Sequence, residues 1–196
     1  MSSQADIGGP DQNELVIALV AAVGTDVGMV AEEFKIELSE YAYGSMVLRL
    51  SDYLAEEFNR KFFDELKFDD GLWEAMTAGD TLRNDWNRGD ALVLHAISDI
   101  VATRNQKTRN DADPCEACGV EHPGPGLDRF AFIIRSLKTQ EELATLRAVY
   151  GPRLVVIAAY SPKEERLKHL STLIAASRGT RTQSVGPYAE RSRGAR

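Results

Sequence analysis

The stretch E-L-V-I-A-L-V (Glu14 to Val20), followed by A-A-V-G-T-D-V (Ala21 to Val27), decides the fold. After Glu14 the first run is continuously apolar, without the alternation of a half-exposed strand, and so suits a strand covered on both faces. The second run is small and turn-forming around Gly24. From Gly28 to Tyr41 the residues Met29, Val30, Phe34 and Leu38 then recur near helical spacing. Strand, tight loop and helix in that order begin a parallel α/β unit, because a strand buried on both faces needs helices above and below it.

The same pattern continues outward. S-M-V-L-R-L (Ser45 to Leu50) reads as a second strand, and Ser51-Asp52 as the N-cap of a helix running toward Lys61. Gly71 to Arg104 reads as two helices with Leu72, Met76, Trp86, Leu92, Ile97 and Ile100 as core positions and Gly79 and Gly89 as weak points. Asn105 to Asp128 is rich in Asn, Asp, Pro and Gly and reads as a long surface loop. F-A-F-I-I (Phe130 to Ile134) is the next buried strand, Thr139 to Tyr150 a helix, and R-L-V-V-I-A-A-Y (Arg153 to Tyr160) another buried strand. Ser161-Pro162 opens a last helix, with Ser as cap and Pro at the first helical position. Alternation of this kind implies a three-layer α/β fold: a parallel sheet with right-handed crossovers and helices on both faces. One domain, 13–176, is expected, since 196 residues fall below the size at which cores divide. Residues 1–12 form a flexible N-terminus, and 177–196, with Arg178, Arg181, Arg191, Arg193 and Arg196, an Arg-rich flexible tail.

Composition narrows the functional classes. A net charge of −7 argues against general nucleic-acid binding, because a phosphate backbone attracts a positive surface. No apolar run approaches the roughly 20 residues that span a bilayer, and the start lacks a signal peptide's apolar centre. A cytoplasmic location and no membrane partner are the expectation. The two cysteines, Cys115 and Cys118, close too small a loop to staple a fold. In C-x-x-C-G-V-E-H they stand with His122 as three ligands suited to a structural zinc, the fourth coming from Asp113, His95 or a partner chain; the alternative is a pair of thiols without metal. Pro114-Cys115-Glu116-Ala117-Cys118 also matches half of a zinc-deaminase signature, with His95-Ala96 suggesting the other half. Ile97 stands where the proton-shuttling glutamate is required, which excludes deaminase chemistry.

The loop after the first strand is the candidate phosphate site, because ligands of open parallel sheets bind beyond the carboxyl ends of the strands. Gly24 permits close backbone approach, and the following helix offers free N–H groups to an anion. Thr25 stands where a phosphate-transferring enzyme of this architecture carries lysine, and Asp26 where it carries a Mg²⁺-binding hydroxyl. Asp26 is then a candidate ligand for Mg²⁺ brought with a nucleotide. The alternative is a plain tight turn, with Asp26 capping the next helix.

Taken in order, E-L-V-I-A-L-V-A-A-V-G-T-D-V, R-L-S-D (Arg49 to Asp52), F-I-I-R-S-L-K (Phe132 to Lys138), E-E-L-A-T-L-R-A-V-Y-G (Glu141 to Gly151) and Y-S-P-K-E-E-R (Tyr160 to Arg166) resemble the N-terminal, P-loop kinase-like module of antiphage deoxycytidylate deaminases. That family is related to deoxynucleoside monophosphate kinases. The resemblance covers roughly residues 14 to 175 and stops short of the family's deaminase region. It implies a nucleotide-binding site at Gly24, Thr25, Asp26, Arg49, Asp52 and Arg135, a deoxynucleotide ligand of the deoxycytidine phosphate type, and a deaminase partner in trans. Three functions follow as alternatives: a nucleotide-binding regulatory or sensing module, an active deoxynucleoside monophosphate kinase, and a non-catalytic scaffold. A zinc-holding loop predicts about one equivalent of metal in protein purified without chelators, lost when Cys115 and Cys118 become Ser. Metal analysis giving well under a tenth of an equivalent disposes of the zinc site.

Overall fold

A computed structural model of the chain describes residues 13–59, 62, 67–109 and 126–179. Asp113, Cys115, Cys118 and His122, the segment 1–12 and the tail beyond 179 lie outside the described residues. Strands β1 (Glu14–Ala21), β2 (Gly44–Arg49), β3 (Phe130–Arg135) and β4 (Leu154–Ala159) form one all-parallel sheet in the order β2-β3-β1-β4. The helices are α1 (Val27–Glu40), α2 (Leu50–Glu57), α3 (Phe68–Asp85), α4 (Ala91–Arg109), α5 (Gln140–Tyr150) and α6 (Lys163–Ser177). None of the described helices is long and apolar enough to cross a membrane.

Alternation along β1 and β3 sorts side chains to the two faces of the sheet. Ile17, Leu19, Ala131 and Ile133 meet Val30, Phe34 and Leu38 of α1. Val16, Ala18, Phe132 and Ile134 meet the larger core built from α2, α3, α4 and α5. This is the three-layer α/β architecture expected from the apolar runs. Each fully buried side chain, such as Phe132 or Leu19, contributes about 1.5 to 3 kcal/mol from burial. The strand order has one consequence for the site: β1 passes its chain to α1 on one face, while its neighbour β3 passes to α5 on the other. The two connections leave the carboxyl ends toward opposite faces, the arrangement that in open parallel sheets makes a ligand crevice.

Among the described residues the buried carboxylates, Glu14, Asp69, Asp90 and Glu142, are all paired. Glu14, fully buried at the start of β1, accepts from Arg104 Nε of α4 (3.0 Å), from Arg104 Nη2 and from the Leu127 amide (2.9 Å). Glu142 accepts from Arg83 Nη2 (2.9 Å) and completes a capping box with Thr139 at the start of α5. Asp90 accepts from Arg88 and from Thr145 Oγ1, and these bonds hold its carboxyl down to about 2.

Several details differ from the sequence expectation. Ser51 does not cap α2: β2 runs directly into the helix, with Arg49 at the N-cap and Leu50 already in the core. Gly79 is no break; it lies inside α3, buried against Leu54 of α2, where a Cβ would meet Arg83 Nη1 at 3.3 Å and Leu54 Cδ1 at an ordinary 3.6 Å. The break falls between Asp85 and Ala91, around Gly89. Trp86 is 41% exposed, because it sits at the C-cap of α3 beyond the core and tilts its ring over His95. Pro162 takes the N-cap of α6 and no side chain caps that helix, so Ser161 is not the cap. Ser177 and Arg178, assigned above to the flexible tail, belong to the folded unit. Ser177 ends α6 and accepts from the Phe68 amide (3.1 Å), and Arg178 Nη2 donates to both oxygens of buried Asp69 (2.8 and 2.6 Å). The strand Arg153 to Tyr160, expected to be buried, shortens to β4 at the sheet's edge, with Val155 and Val156 partly exposed.

Removing one partner of a buried ion pair strands the other charge in the core. Arg104→Met is therefore expected to destabilise the chain by roughly 3 to 5 kcal/mol in urea unfolding, and adding Glu14→Gln to recover part of that loss. No loss in the single variant refutes the anchoring role of the pair.

Candidate functional site

Beyond Ala21 the chain turns through residues 22–26. The Thr25 amide donates to the Ala22 carbonyl (3.1 Å) and the Val27 amide to the Thr25 carbonyl (2.9 Å), closing the turn. Asp26 is the N-cap of α1, and its Oδ1 accepts from the Met29 amide (2.9 Å). One oxygen of Asp26 thus serves the helix, the role expected from a plain turn. Asp26 brings a single carboxylate, so a Mg²⁺ ion here would need phosphate oxygens for the rest of its shell. Among the described residues no group of three or more His, Cys, Asp or Glu side chains stands close enough to hold a metal.

Gly24 has φ +91°, and a Cβ on it would lie 2.8 Å from the Arg166 carbonyl and 3.1 Å from Leu170 Cδ1. The close approach that this glycine permits is taken by the first turns of α6. Arg166 Nη1 donates to the Val23 carbonyl (3.0 Å), which brings a guanidinium onto the loop that lacks a lysine. Composition and periodicity give no sign of this contact. Its only trace in the sequence is the motif Y-S-P-K-E-E-R, where Arg166 lies one turn into a helix that opens after a buried-looking strand. Thr25 Oγ1 and Arg166 Nε are buried without a hydrogen-bond partner among the described residues.

The other expected residues gather across the crevice. Arg49 and Arg135 are register partners at the carboxyl ends of β2 and β3, so two guanidinium-bearing residues stand side by side at the sheet's rim. Arg49 Nε lies 3.6 Å from Asp52 Oδ1, one turn into α2. Arg135 reaches the first turn of α1: a Cβ on Gly28 would lie 3.0 Å from its Nη1 and 3.2 Å from Asp26 Oδ1. Among the described residues no carboxylate is within ion-pair distance of Arg135, and its Nε is buried without a partner. Desolvation first, and then the Arg49 charge, lower the proton affinity of Arg135 from the usual arginine value. Asp52, Asp26 and Glu32 act in the opposite sense. A cation at the positive end of a helix, beside another cation, is electrostatically unfavourable, and Asp52, Asp26 and Glu32 offset this only in part. Gly24, Thr25, Asp26, Arg49, Asp52 and Arg135 therefore all stand on the carboxyl rim of the sheet, with Arg166 added. The arrangement suits a phosphate or other oxyanion held by guanidinium forks and helix amides.

His95, named above as a fourth zinc ligand, stands in α4 with its ring 5.4 Å from that of Tyr53 and 5.6 Å from that of Trp86. Tyr53 donates to Asp99 Oδ2 (2.6 Å); burial first and this bond next push its hydroxyl well above the usual phenol range.

No model of a known protein family matches the chain, and no curated protein matches it. The seating of α6 on the loop predicts unequal outcomes for two glycines. Gly24→Ala should cost roughly 1 to 3 kcal/mol, since it combines a strained φ with a clash against backbone. Gly28→Ala should cost less, under about 1 kcal/mol, since its Cβ would press on the side-chain atoms Arg135 Nη1 and Asp26 Oδ1 and not on backbone, and helix propensity offsets part of that. Urea unfolding that ranks the two the other way refutes this packing.

Proposed function

We propose that this chain binds a deoxynucleotide through its phosphates at the carboxyl rim of β1, β2 and β3. It acts there as a kinase-like regulatory or sensing module with little phosphotransfer of its own. The observation that carries the reading is the Arg49–Arg135 pair over the first turn of α1, where Arg135 has a buried Nε and no carboxylate partner among the described residues. Deoxycytidine phosphates as ligand, a deaminase as partner, a role in antiphage depletion of deoxycytidine nucleotides and a cytoplasmic setting rest on the resemblance alone. Weak transfer follows from the loop. A P-loop kinase works by positioning and electrostatics, and Thr25 provides no charge for the β and γ phosphates while Asp26 adds a negative one.

One observation favours the active kinase instead: Arg166 supplies a positive charge on the loop from α6. Calorimetric titration and a phosphotransfer assay separate the two. Deoxycytidine mono-, di- and triphosphate should bind wild-type protein with Mg²⁺, and Arg135→Ala should weaken binding by at least about tenfold. Thr25→Lys with Asp26→Ser should strengthen triphosphate binding, the serine keeping the helix cap. No heat and no thermal shift with any common nucleotide at millimolar concentration ends the binding proposal. Wild-type turnover of about 1 to 100 per second on a deoxynucleoside monophosphate replaces the regulatory reading with the kinase.

A further inference from the structure

Gly28 lies in the first turn of α1, where the backbone does not call for a glycine: Gly24 has φ +91°, but Gly28 has no left-handed φ. A glycine in ordinary helical conformation costs a helix roughly 1 kcal/mol against alanine. What its missing side chain leaves free is space. A Cβ there would stand 3.0 Å from Arg135 Nη1 and 3.2 Å from Asp26 Oδ1, both closer than ordinary van der Waals contact. The Arg135 guanidinium therefore rests against bare helix backbone. That backbone also carries a free donor. Of the amides that open α1, Val27 donates to the Thr25 carbonyl, Met29 to Asp26 Oδ1 and Val30 to the Asp26 carbonyl, whereas the Gly28 amide has no acceptor among the described residues.

We propose that Gly28 is a positioning residue of the anion site: by lacking a Cβ it seats the Arg135 guanidinium on the first turn of α1, so that one oxyanion meets the guanidinium and the Gly28 amide together. The inference rests on reading the carboxyl rim as a phosphate site, and adds what sets its geometry. Arg135 ends β3 in register with Arg49, so its backbone is held by the sheet and only its side chain can move. Asp26 Oδ1 is tied to the Met29 amide (2.9 Å). Arg135 Nε, by contrast, has no partner among the described residues. Of the two groups that a Cβ would press on, the guanidinium is the one that gives way. A guanidinium binds an oxyanion through a fixed fork of donors, so swinging it off the helix loses the second donor as well as the angle.

Two measurements on the full chain test the seat, the first without any ligand. In heteronuclear NMR the Nε–H signal of Arg135, assigned by its disappearance in Arg135→Lys, should shift in unliganded Gly28→Ala, while the melting temperature falls by a few degrees at most. In calorimetric titration with deoxycytidine triphosphate and Mg²⁺, and with inorganic pyrophosphate as a base-free probe, Gly28→Ala should weaken binding by at least about tenfold. In an Arg135→Ala background the same substitution should change affinity by less than about twofold, because a residue that acts through Arg135 then has nothing to position. An unmoved Nε–H signal overturns the proposal. So does Gly28→Ala binding as tightly as wild type, or a loss that persists in full without Arg135. Where Arg135→Ala binds too weakly to titrate, the NMR signal and the single variant decide. A Gly28→Ala chain that does not fold also overturns it, since the glycine would then serve the fold itself. Wild-type protein that binds neither probe ends the phosphate reading, and this inference with it.

Discussion

A strand that is apolar on both faces cannot border water, and most of this structure follows from where β1 has to lie. It takes a central place between β3 and β4, with α1 on one face and α2, α4 and α5 on the other. Its one charged residue, Glu14, is buried with it. Burying an ionised carboxylate is tolerated only when other groups replace its water, and Arg104 and the Leu127 amide do so. That network ties the end of β1 to α4 and to the approach of β3. It fixes the amino end of the sheet.

Buried charge is handled in two ways. Glu14, Asp69, Asp90 and Glu142 are each buried and each matched by an arginine with good geometry. Arg135 is the counterexample. It is partly desolvated beside Arg49 and rests on the positive end of α1. Desolvation and the Arg49 charge, only partly offset by Asp52, Asp26 and Glu32, leave an electrostatic deficit here, at the carboxyl ends of the strands. That deficit is the strongest physical argument for an anionic ligand.

The loop between β1 and α1 is compact for reasons that do not depend on a ligand. Asp26 caps α1, Gly24 makes room for the backbone of α6, and Arg166 donates to the Val23 carbonyl. At its far end α6 is held by Arg178 on Asp69 and by Ser177 on the Phe68 amide, so one helix links the loop to α3. A ligand at the rim would sit against a helix already braced at both ends. Arg166 brings onto this loop a cation that Thr25 does not supply.

Much of the fold was legible because it is written locally. The apolar runs of β1 and β3, the turn at Gly24 and the 3.6-residue spacing of α1 each depend on a few neighbouring residues. So did the nomination of Asp26, which opens a helix, whereas Arg135 entered through the family resemblance. Helix starts were less legible, because Leu50 enters α2 through its place in the core and not through a cap at Ser51. By itself, then, the sequence determined a parallel α/β sheet with a loop at the end of its first strand. Tertiary structure decided that Arg49 and Arg135 are neighbours, that Arg166 reaches the loop, that Arg178 is part of the fold, and that β4 is an edge. Those facts depend on strand order and register, which are set by the packing of segments far apart in the chain and leave no periodic signal within any one of them.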